Sequence, residues 1–402
     1  MPIHSHAVDI VERLVKEGHI AYFAGGWVRD YLMGHPSDDI DIATSASPQE
    51  ILDLFPRTIL VGLQFGVVIV AIEGHQYEVS TFRRDLEYIN GRKPEKIELA
   101  SPQEDALRRD FTINGMFFDP LKDELHDYVG GREDIKKQVI RAIGNPDERF
   151  FEDRLRMIRA IRFASRFNFH IDQETQEAIQ NNASGLFPAV AMERVWQEFC
   201  KMNNYPHFDR ALIELHRYGL LPIIFPGLKI KKLKELEDYV RPIARYPQNT
   251  PTAFFLQEIF PFASLEQITE LGKYLKAPNK DLEALQLYLQ QQPFSLNQSS
   301  SQLTRFYAHK ESTLCLHVFS ARLPGEEAET FLKSHEERRK SLQKHIERVQ
   351  QRTPVLTAAY LKQKGILPGI EMGRILKRAE ELSIDENMDD PAELYRRVCE
   401  NR

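Results

Sequence analysis

The chain has 402 residues, a length that predicts two or three domains. Its 59 acidic residues outnumber its 53 basic ones, and the formal net charge of −6 excludes a protein that attracts nucleic acid through its overall charge. Its apolar runs are too short to span a bilayer, and acidic residues within residues 1–18 argue against a signal or transit peptide there. Three widely spaced cysteines suit a reducing compartment, so we expect a cytoplasmic protein without a membrane partner.

Helix and strand patterns alternate in the first part of the chain. Apolar residues at helical spacing predict a helix over residues 8–17. β-Branched and aromatic residues between turn signals predict buried strands at residues 20–24, 40–42, 67–72 and 77–82. Residues 83–94 are polar and contain glycine and proline, which predicts a mobile loop. These patterns indicate an α/β segment.

Helical patterns dominate after residue 147, where strand signals almost vanish. Amphipathic helices are predicted over residues 149–169, 174–183, 192–202, 208–218, 265–275, 281–290 and 326–351. The predicted fold class is therefore α+β, with an α/β unit followed by a long helical array.

Two adjacent glycines stand between the first predicted strand and a probable helix. Gly25 and Gly26 lack side chains, so a phosphate group could approach the backbone N–H groups at the helix terminus. Arg29 would add a cationic fork for the same oxygens. Such a glycine pair is also common in ordinary turns, so it supports a phosphate site only together with other features.

Two aspartates follow at a spacing of two residues. Asp39 and Asp41 would project to the same side of a strand, and their carboxylates would repel each other unless a cation neutralised them. Oxygen ligands of this kind suit Mg²⁺ at a site for phosphoryl or nucleotidyl transfer. A solvated turn at a strand edge would carry the same pair, but the glycines upstream favour the catalytic interpretation.

The order of motifs resembles that of a known family. Gly-Gly-x-Val-Arg-Asp at residues 25–30 and Asp-x-Asp at 39–41 resemble the DNA polymerase β-like nucleotidyltransferases. More narrowly, the chain resembles the class II tRNA nucleotidyltransferases and bacterial poly(A) polymerases, through further motifs at residues 108–114, 127–131, 152–156, 193–194 and 369–376. The resemblance implies a polymerase-β-like catalytic head over residues 1–145, a helical neck for base recognition over 146–205, and an elongated helical body and tail for tRNA binding over 206–402.

The resemblance also implies roles for individual residues. Asp39 and Asp41 would be the catalytic metal ligands, while Gly25, Gly26, Arg29 and Arg109 would hold the nucleotide triphosphate. Asp110 could keep the preceding arginines oriented, and Asn114 is expected to be a ribose or structural partner. From the residues alone, Arg108, Arg109 and Asp110 could equally form an exposed ion-pair cluster. Glu78 is either a third acidic site residue or an ordinary strand-edge residue.

A stripe of charged residues follows on the predicted helix at residues 152–162. Asp153, Arg156, Arg159 and Arg162 recur every three residues, a pattern that a solvated helix face also shows. In the resembled family this helix reads the incoming base. An Asp–Arg pair offers acceptors beside donors, which matches cytosine and adenine but reverses the pattern of guanine and uracil. The resemblance thus implies selection of CTP and ATP, with Arg159 and Arg162 near nucleotide or primer.

Sequence details favour one branch of the family. Residues 61–68 lack the basic pair typical of bacterial poly(A) polymerases, and no strongly basic carboxy-terminal extension is present. The loop at residues 83–94 is full length, which disfavours an enzyme that adds only C. We therefore expect addition of C and A to the tRNA 3′ end, with Mg²⁺ as cofactor and the acceptor arm of tRNA as partner.

Several alternatives stay open. An enzyme that adds only A can keep every motif, and a poly(A) polymerase is the next candidate. An inactive RNA-binding homologue is less expected because both aspartates are intact. Basic clusters at residues 229–234 and 338–352 could bind tRNA or form solvated helix faces. The sequence leaves the oligomeric state undetermined.

Overall fold

The computed structural model describes residues 5–35, 39–62, 66–89, 93–292 and 294–400. The chain divides into two compact units, Met1–Glu237 and Asp238–Arg402. The predicted boundaries between head, neck and body stay predictions. In the described residues, no helix is both long and apolar enough to cross a membrane.

All described strands lie in the first unit. They are β1 (Ala21–Ala24), β2 (Asp41–Thr44), β3 (Thr58–Gly62), β4 (Val67–Ile72), β5 (His75–Thr81), β6 (Arg83–Ile89), β7 (Lys93–Leu99), β8 (Met116–Asp119), β9 (Glu124–Asp127), β10 (Val139–Ile140) and β11 (His170–Ile171). Seven of them form one sheet in the order β3-β4-β5-β2-β1-β8-β9. Within this sheet β2 and β5 are parallel, and the other neighbouring strands are antiparallel.

The two faces of the sheet pack into separate apolar clusters. One face packs against α1 (Ser5–Lys16), α2 (Gly26–Leu32) and α3 (Pro48–Leu54), and its core contains large residues such as Phe23, Ile42 and Phe118. The opposite face packs near α4 (Pro102–Leu107) in a smaller cluster, where Phe117 lies beside the small residues Ala24 and Ala43. Because side chains alternate along a strand, Asp41 and Ala43 share this second face. It therefore has room for a cavity.

The loop predicted over residues 83–94 is wrong for its described part, while the predicted mobility of this segment stays a prediction. Strands β6 and β7 form an antiparallel hairpin outside the main sheet, with Arg83 opposite Leu99 and Ile89 opposite Lys93. An ion pair of 2.5 Å between Arg84 and Glu98 closes its base. Polar composition is compatible with such a ribbon, because a two-stranded hairpin can expose both faces while its backbone groups pair. Residues 90–92 lie outside the described part.

Helices follow the sheet in the first unit. They are α5 (Gly131–Lys137), α6 (Pro146–Glu152), α7 (Leu155–Phe167), α8 (Gln173–Asn182), α9 (Met192–Asn203), α10 (Phe208–Arg217) and α11 (Leu220–Ile224), followed by α12 (Leu233–Val240) at the boundary between the units. The short parallel pair β10–β11 interrupts this helical region.

The predicted continuous helix over residues 149–169 is wrong at one point. The chain leaves helical geometry at Asp153, whose φ is −146° and ψ is 103°. The Asp153 carboxylate then accepts the N–H of Leu155 at 3.0 Å, which satisfies a backbone donor at the start of α7. Asp153 therefore lies in a break between α6 and α7 rather than on the helix.

The described part of the second unit contains helices and connecting loops but no strand. Its helices are α13 (Phe255–Ile259), α14 (Leu265–Tyr274), α15 (Asn279–Gln291), α16 (Ser300–Ala308), α17 (Ser312–Ser320), α18 (Gly325–Ser341), α19 (Gln343–Gln351), α20 (Ala358–Gln363), α21 (Ile370–Asp385) and α22 (Pro391–Tyr395). Capping boxes at Ser264 and Ser299 fix the starts of α14 and α16. The single helix predicted over residues 326–351 is divided into α18 and α19 at Leu342.

Candidate functional site

A cavity of about 520 Å³ lies between the face of the sheet that carries Ala24 and Asp41 and α7. Among the described residues, eight arginines and four acidic side chains line it, so it is strongly polar and locally basic. The structure brings together here all the sequence-predicted site residues except Asp39: Gly25, Gly26, Arg29, Asp41, Arg109, Asp110, Asn114, Asp153, Arg156, Arg159 and Arg162. Asp39 is exposed and immediately precedes the strand that carries Asp41.

The glycine turn at the amino-terminal end of α2 forms one side of the cavity. Gly25 has a φ of +63°, a conformation that favours glycine. A β-carbon at this position would stand 3.1 Å from Nη1 of Arg109 and 3.7 Å from Oδ2 of Asp41. The absence of a side chain therefore lets the backbone, a cation and a carboxylate meet at one point.

Three carboxylates crowd together beside this turn. Burial raises the pKa of Asp41 to about 7, and the negative charges of Glu78 and Asp39 add to the effect, against the opposing charge of Arg109. Burial and then Asp39 also raise the pKa of Glu78. The β2–β5 pairing places Ile42 opposite Val79, so Glu78 and Asp41 are neighbours across the two strands. Glu78 thus lies inside the cavity lining rather than at an isolated strand edge.

The carboxylates of Asp39, Asp41 and Glu78 suit a cation whose remaining ligands are water and substrate. In the described residues, no three or more His, Cys, Asp or Glu side chains are arranged to hold a metal ion. Mg²⁺ is commonly held by one or two carboxylates, with water and substrate phosphate completing its shell. A bound cation would offset both the burial and the neighbouring negative charges that raise the pKa of Asp41, so the residues present fit a divalent cation.

Asp105, rather than Asp110, holds the two arginines that precede Asp110. Oδ1 of Asp105 accepts hydrogen bonds from Nε and Nη2 of Arg108 at 2.9 and 2.6 Å. Oδ2 accepts from Nε and Nη2 of Arg109 at 3.1 and 3.0 Å. The expectation that Asp110 orients these arginines is therefore wrong.

Asp110 belongs instead to a buried network that links the head to α7. Its Oδ2 accepts two hydrogen bonds from Arg159, at 2.8 and 2.5 Å. Its Oδ1 accepts from Nδ2 of Asn114 at 3.0 Å, while Oδ1 of Asn114 accepts from Arg29 at 2.6 Å. Although burial alone would raise it, the pKa of Asp110 is held well below its usual range, chiefly by the charge of Arg159. Arg29 also pairs with Asp30 at 2.8 Å.

Asp153 and Arg156 both line the cavity, but they do not pair with each other. Arg194 donates to the two oxygens of Asp153 at 3.3 and 2.8 Å. Arg156 donates to Glu152 at 2.6 Å and to the backbone carbonyl of Arg108 at 3.1 Å. Each group therefore has a separate anchor that sets its direction.

The arginines of α7 stack on an aromatic ring. Arg162 lies 4.1 Å from the ring centre of Phe163, and Arg29 and Arg159 lie within 5.2 and 5.4 Å of it. Arg162 also donates to Glu198 at 2.6 Å. The sequence-predicted charge stripe thus consists of Arg156, Arg159 and Arg162 alone, and these side chains turn inward rather than to solvent.

Sequence reasoning gave no role to three carboxylates that anchor arginines of the cavity. Asp105 anchors Arg108 and Arg109, Glu152 anchors Arg156, and Glu198 anchors Arg162. The spacing of Asp105 three and four residues before Arg108 and Arg109 is a helical pairing pattern that could have indicated it. The spacing of Glu152 and Arg156 is also a helical pairing pattern, whereas Glu198 lies 36 residues from Arg162 and no local signal connects them.

Known proteins resemble this chain along most of its length. Residues 21–141 match the family described as "Poly A polymerase head domain", and residues 168–231 match "Probable RNA and SrmB- binding site of polymerase A". The solved structure of the Bacillus stearothermophilus CCA-adding enzyme in complex with CTP aligns over 100% of this chain and 98% of that one, with 29% identity and a TM-score of 0.83. Residues 21–141 therefore resemble the head domain of poly(A) polymerases, and the whole chain is similar in fold to a CCA-adding enzyme.

Bacterial CCA-adding enzymes are also similar in sequence. The CCA-adding enzyme of Geobacillus sp. (strain WCH70) is 42% identical over 241 residues, which are 60% of this chain and 58% of that protein. The CCA-adding enzyme of Bacillus velezensis is 44% identical over 232 residues, 58% of each chain. The sequence alignments therefore span less than two thirds of these relatives. The head-domain match covers the glycine turn, the three carboxylates and Asp105, while α7 lies entirely between the two matched segments.

Proposed function

We propose that this protein is a nucleotidyltransferase that adds C and A residues to the 3′ end of tRNA without a nucleic-acid template. It would use CTP and ATP and release pyrophosphate. The observation that carries this proposal is a single cavity with the glycine turn and Asp41 on one side and the anchored Asp153 and Arg156 on the other. The names of the similar proteins, CCA-adding enzymes, agree with it.

The triphosphate is assigned to the glycine turn. Backbone N–H groups at the start of α2 and the guanidinium of Arg109 both face this point, and Arg29 adds a buried positive charge beneath it. The primer's 3′ hydroxyl oxygen forms a bond to the α-phosphorus, and the bond from that phosphorus to the bridging oxygen breaks. The hydroxyl proton is lost to solvent, and pyrophosphate leaves.

Asp39 and Asp41 are assigned as ligands of a divalent cation, and we propose Mg²⁺. When bound, the ion supplies positive charge that favours ionisation of the 3′ hydroxyl and stabilises the departing phosphate oxygen. Asp41 is the partly buried ligand on β2, and Asp39 is the exposed ligand two residues before it. Glu78 is close enough to influence the charge of both, and we propose it as an auxiliary acidic residue rather than a ligand.

Base choice is assigned to Asp153 and Arg156. Asp153 offers acceptors to an exocyclic amine, and Arg156 offers donors to the adjacent ring nitrogen. Cytosine and adenine present this pair of groups, whereas uracil and guanine present the reverse. Because Arg194 and Glu152 fix the two side chains from behind, the protein can select a base before RNA arrives. Asn114 and Asp110 connect Arg29 on α2 to Arg159 on α7 through hydrogen bonds. We propose that this connection fixes the glycine turn relative to α7.

The decisive assay offers tRNA transcripts that end before CCA, after C or after CC, with labelled CTP and ATP. Addition of C, C and then a single A supports the proposal. Addition of A alone to the CC transcript would instead identify an A-adding enzyme, and continued addition of A would identify a poly(A) polymerase. A protein that binds tRNA without incorporation would be an inactive homologue. The cytoplasmic location stays a prediction from composition.

Replacement of Asp41 by alanine should abolish incorporation without lowering thermal stability. The fold is expected to tolerate the change because Asp41 is a partly buried carboxylate beside the like charges of Glu78 and Asp39, so its removal relieves repulsion. Activity and melting temperature are measured on the same preparation. Asp9→Ala, at an exposed position on α1, is the matched control and should keep full activity. Normal turnover by the Asp41→Ala protein would contradict the assignment.

A further inference from the structure

We propose that Asp105 is a positioning residue for nucleotide binding, because it holds Arg108 and Arg109 at the cavity wall and directs Arg109 toward the glycine turn. This inference rests on the proposed function, since it names a contributor to the same nucleotide site. Asp105 does not line the cavity, so it would act through the arginines rather than by touching the nucleotide.

The geometry divides one carboxylate between two guanidinium groups. Oδ1 serves Arg108 and Oδ2 serves Arg109, each through the Nε and Nη2 edge of the arginine. Two donors of Arg109 are engaged by Asp105, while its Nη1 donates to the carbonyl of Asn114 at 3.4 Å and lies near the β-carbon position of Gly25. The ring of Phe117 lies 4.9 Å from the Arg109 guanidinium and supports it from another side. Asp105 therefore holds the Nε and Nη2 edge of the guanidinium, and this leaves Nη1 on the side of Asn114 and Gly25.

Burial makes this arrangement rigid. Asp105 is only 1% exposed, and it lies on the short helix α4 whose start is fixed by a capping box at Ser101. Oδ1 also accepts the backbone N–H of Arg83 at 3.2 Å, while the carbonyl of Arg83 accepts from Nε of Arg108 at 3.0 Å. The same carboxylate thus ties the arginines to the first residue of the β6–β7 hairpin.

The charge balance leaves the cluster suited to an anion. One negative charge faces two positive ones, so the group keeps a net positive charge at the cavity wall. The two arginines lower the pKa of Asp105, which keeps the carboxylate ionised although it is buried. Without that charge, two guanidinium groups would lie side by side and repel each other. We expect them to separate and Arg109 to lose its direction.

Asp105→Asn is the informative variant because it keeps size and removes charge. An amide can present its oxygen to one arginine only, and its NH₂ group then meets donors of the other. Binding of CTP, ATP and inorganic tripolyphosphate is measured by calorimetry with magnesium present and RNA absent. All three dissociation constants should rise by about tenfold, because the lost contact is to phosphate rather than to a base.

The matched control is Asp134→Asn. Asp134 is also buried and pairs with an arginine, Arg141 at 3.1 Å, but neither residue lines the cavity. This variant should lose a comparable amount of thermal stability while binding the three probes like the wild type. A double-mutant cycle of Asp105→Asn with Arg109→Lys adds a second readout. The two effects on tripolyphosphate binding should be strongly non-additive if Asp105 acts through Arg109.

The outcomes separate this inference from the proposed function. Wild-type binding together with unchanged binding by Asp105→Asn would overturn the positioning role alone. Failure of the wild-type protein to bind any nucleotide would overturn both. If the Asn variant does not fold, Asp105→Glu keeps the charge but displaces both guanidinium groups. Weaker binding of all three probes by that variant supports the role, and binding equal to the wild type overturns it.

Discussion

Gly25 shows how much one residue contributes to the cavity. Two separate features require glycine at this position, its positive φ and its closeness to Arg109 and Asp41. Substitution by alanine tests both. Gly25→Ala should lose about 1–3 kcal/mol of stability from backbone strain and also lose nucleotide binding, because the methyl group would stand against Arg109. Chemical unfolding and calorimetric CTP binding measure the two effects.

Gly18→Ala separates strain from contact. Gly18 also has a positive φ, +89°, but a β-carbon there would meet no atom within 4 Å. This control should lose stability and keep CTP binding. Equal loss of binding in both variants would show that strain alone, and not the approach to Arg109, explains the Gly25 result.

Asp153 is the residue on which base choice is predicted to depend. Asp153→Ala should lower the ratio of kcat/KM for CTP over UTP by about tenfold or more, because an unpaired polar group costs about 1–3 kcal/mol in a buried site. The ratio is measured on a transcript that ends before CCA. Glu148→Ala, at an exposed position on α6, is the control. An unchanged ratio in Asp153→Ala would refute base selection by this side chain.

The sequence predicted the membership of the site better than its pairing. Short-range patterns predict Gly25, Arg29 and Asp41. The first two follow from a turn between a strand and a helix, and Asp41 follows from the alternation of side chains along a strand. Their partners are set by the tertiary fold. Asp110 meets Arg159 across 49 residues, and Asp153 meets Arg194 across 41. No local pattern distinguishes these pairs from exposed ion pairs, so the anchors of the site required the structure.

At the scale of elements, strong hydrophobic periodicity predicted the positions of helices and strands, but it did not predict the breaks within them. The strand predicted at residues 67–72 coincides with β4, and the predicted first helix overlaps α1. The break between α6 and α7 was missed because apolar residues continue on both sides of it. The β6–β7 hairpin was missed because its composition is polar. The break depends on a side-chain cap, the hydrogen bond from the Leu155 N–H to Asp153, and the hairpin depends on pairing between backbone groups.

The crossing of α14 and α15 provides a test of element packing. A β-carbon on Gly272 would stand 2.2 Å from Cδ2 of Leu282, so the two helices approach closely at this glycine. Gly272→Ala should therefore lower the free energy of unfolding by about 1–3 kcal/mol through overpacking. The measurement is urea unfolding followed by circular dichroism.

Gly373 is a helical glycine with the opposite expectation. It lies exposed within α21, and a β-carbon there would meet no atom within 4 Å. Gly373→Ala should raise the free energy of unfolding by as much as about 1 kcal/mol, because alanine has the higher helix propensity. Destabilisation of both variants to the same extent would contradict the packing argument for Gly272.

At the scale of the whole molecule, overall charge and local charge differ in sign. The formal net charge is −6, yet arginines outnumber acidic residues in the cavity lining. A negative protein can therefore offer a positive site to a phosphate chain, with the field concentrated inside the cavity. Composition alone could not reveal this, because it averages over the entire chain.

Stability of the second unit should fall as the solution becomes mildly acidic. His335 is 1% exposed, and its two ring nitrogens contact the hydroxyl of Tyr307 at 2.8 Å and the carbonyl of Phe294 at 3.0 Å. Burial lowers the pKa of His335 below its usual 6.5, so the unfolded chain takes up the proton first. Unfolding free energy should decline as the pH falls below about 6.5 and stop declining, for this group, below the folded-state pKa.

His335→Gln should flatten that part of the pH profile. The measurement is the urea midpoint of unfolding at neutral and at mildly acidic pH. Unfolding is monitored by a spectroscopic probe placed in the second unit. His170→Gln changes an exposed histidine of the first unit and should leave the slope as in the wild type. A slope that persists in the His335 variant would assign the acid sensitivity to another group.

The position of the cavity along the chain has a consequence for synthesis. Every described residue that lines it lies between Ala24 and Arg166, well before the second unit begins at Asp238. The ribosome therefore releases the complete cavity wall before it makes the first residue of that unit. Since domains generally fold as units with the amino-terminal one first, the arginines and their carboxylate anchors can pair while the rest of the polypeptide is still being translated.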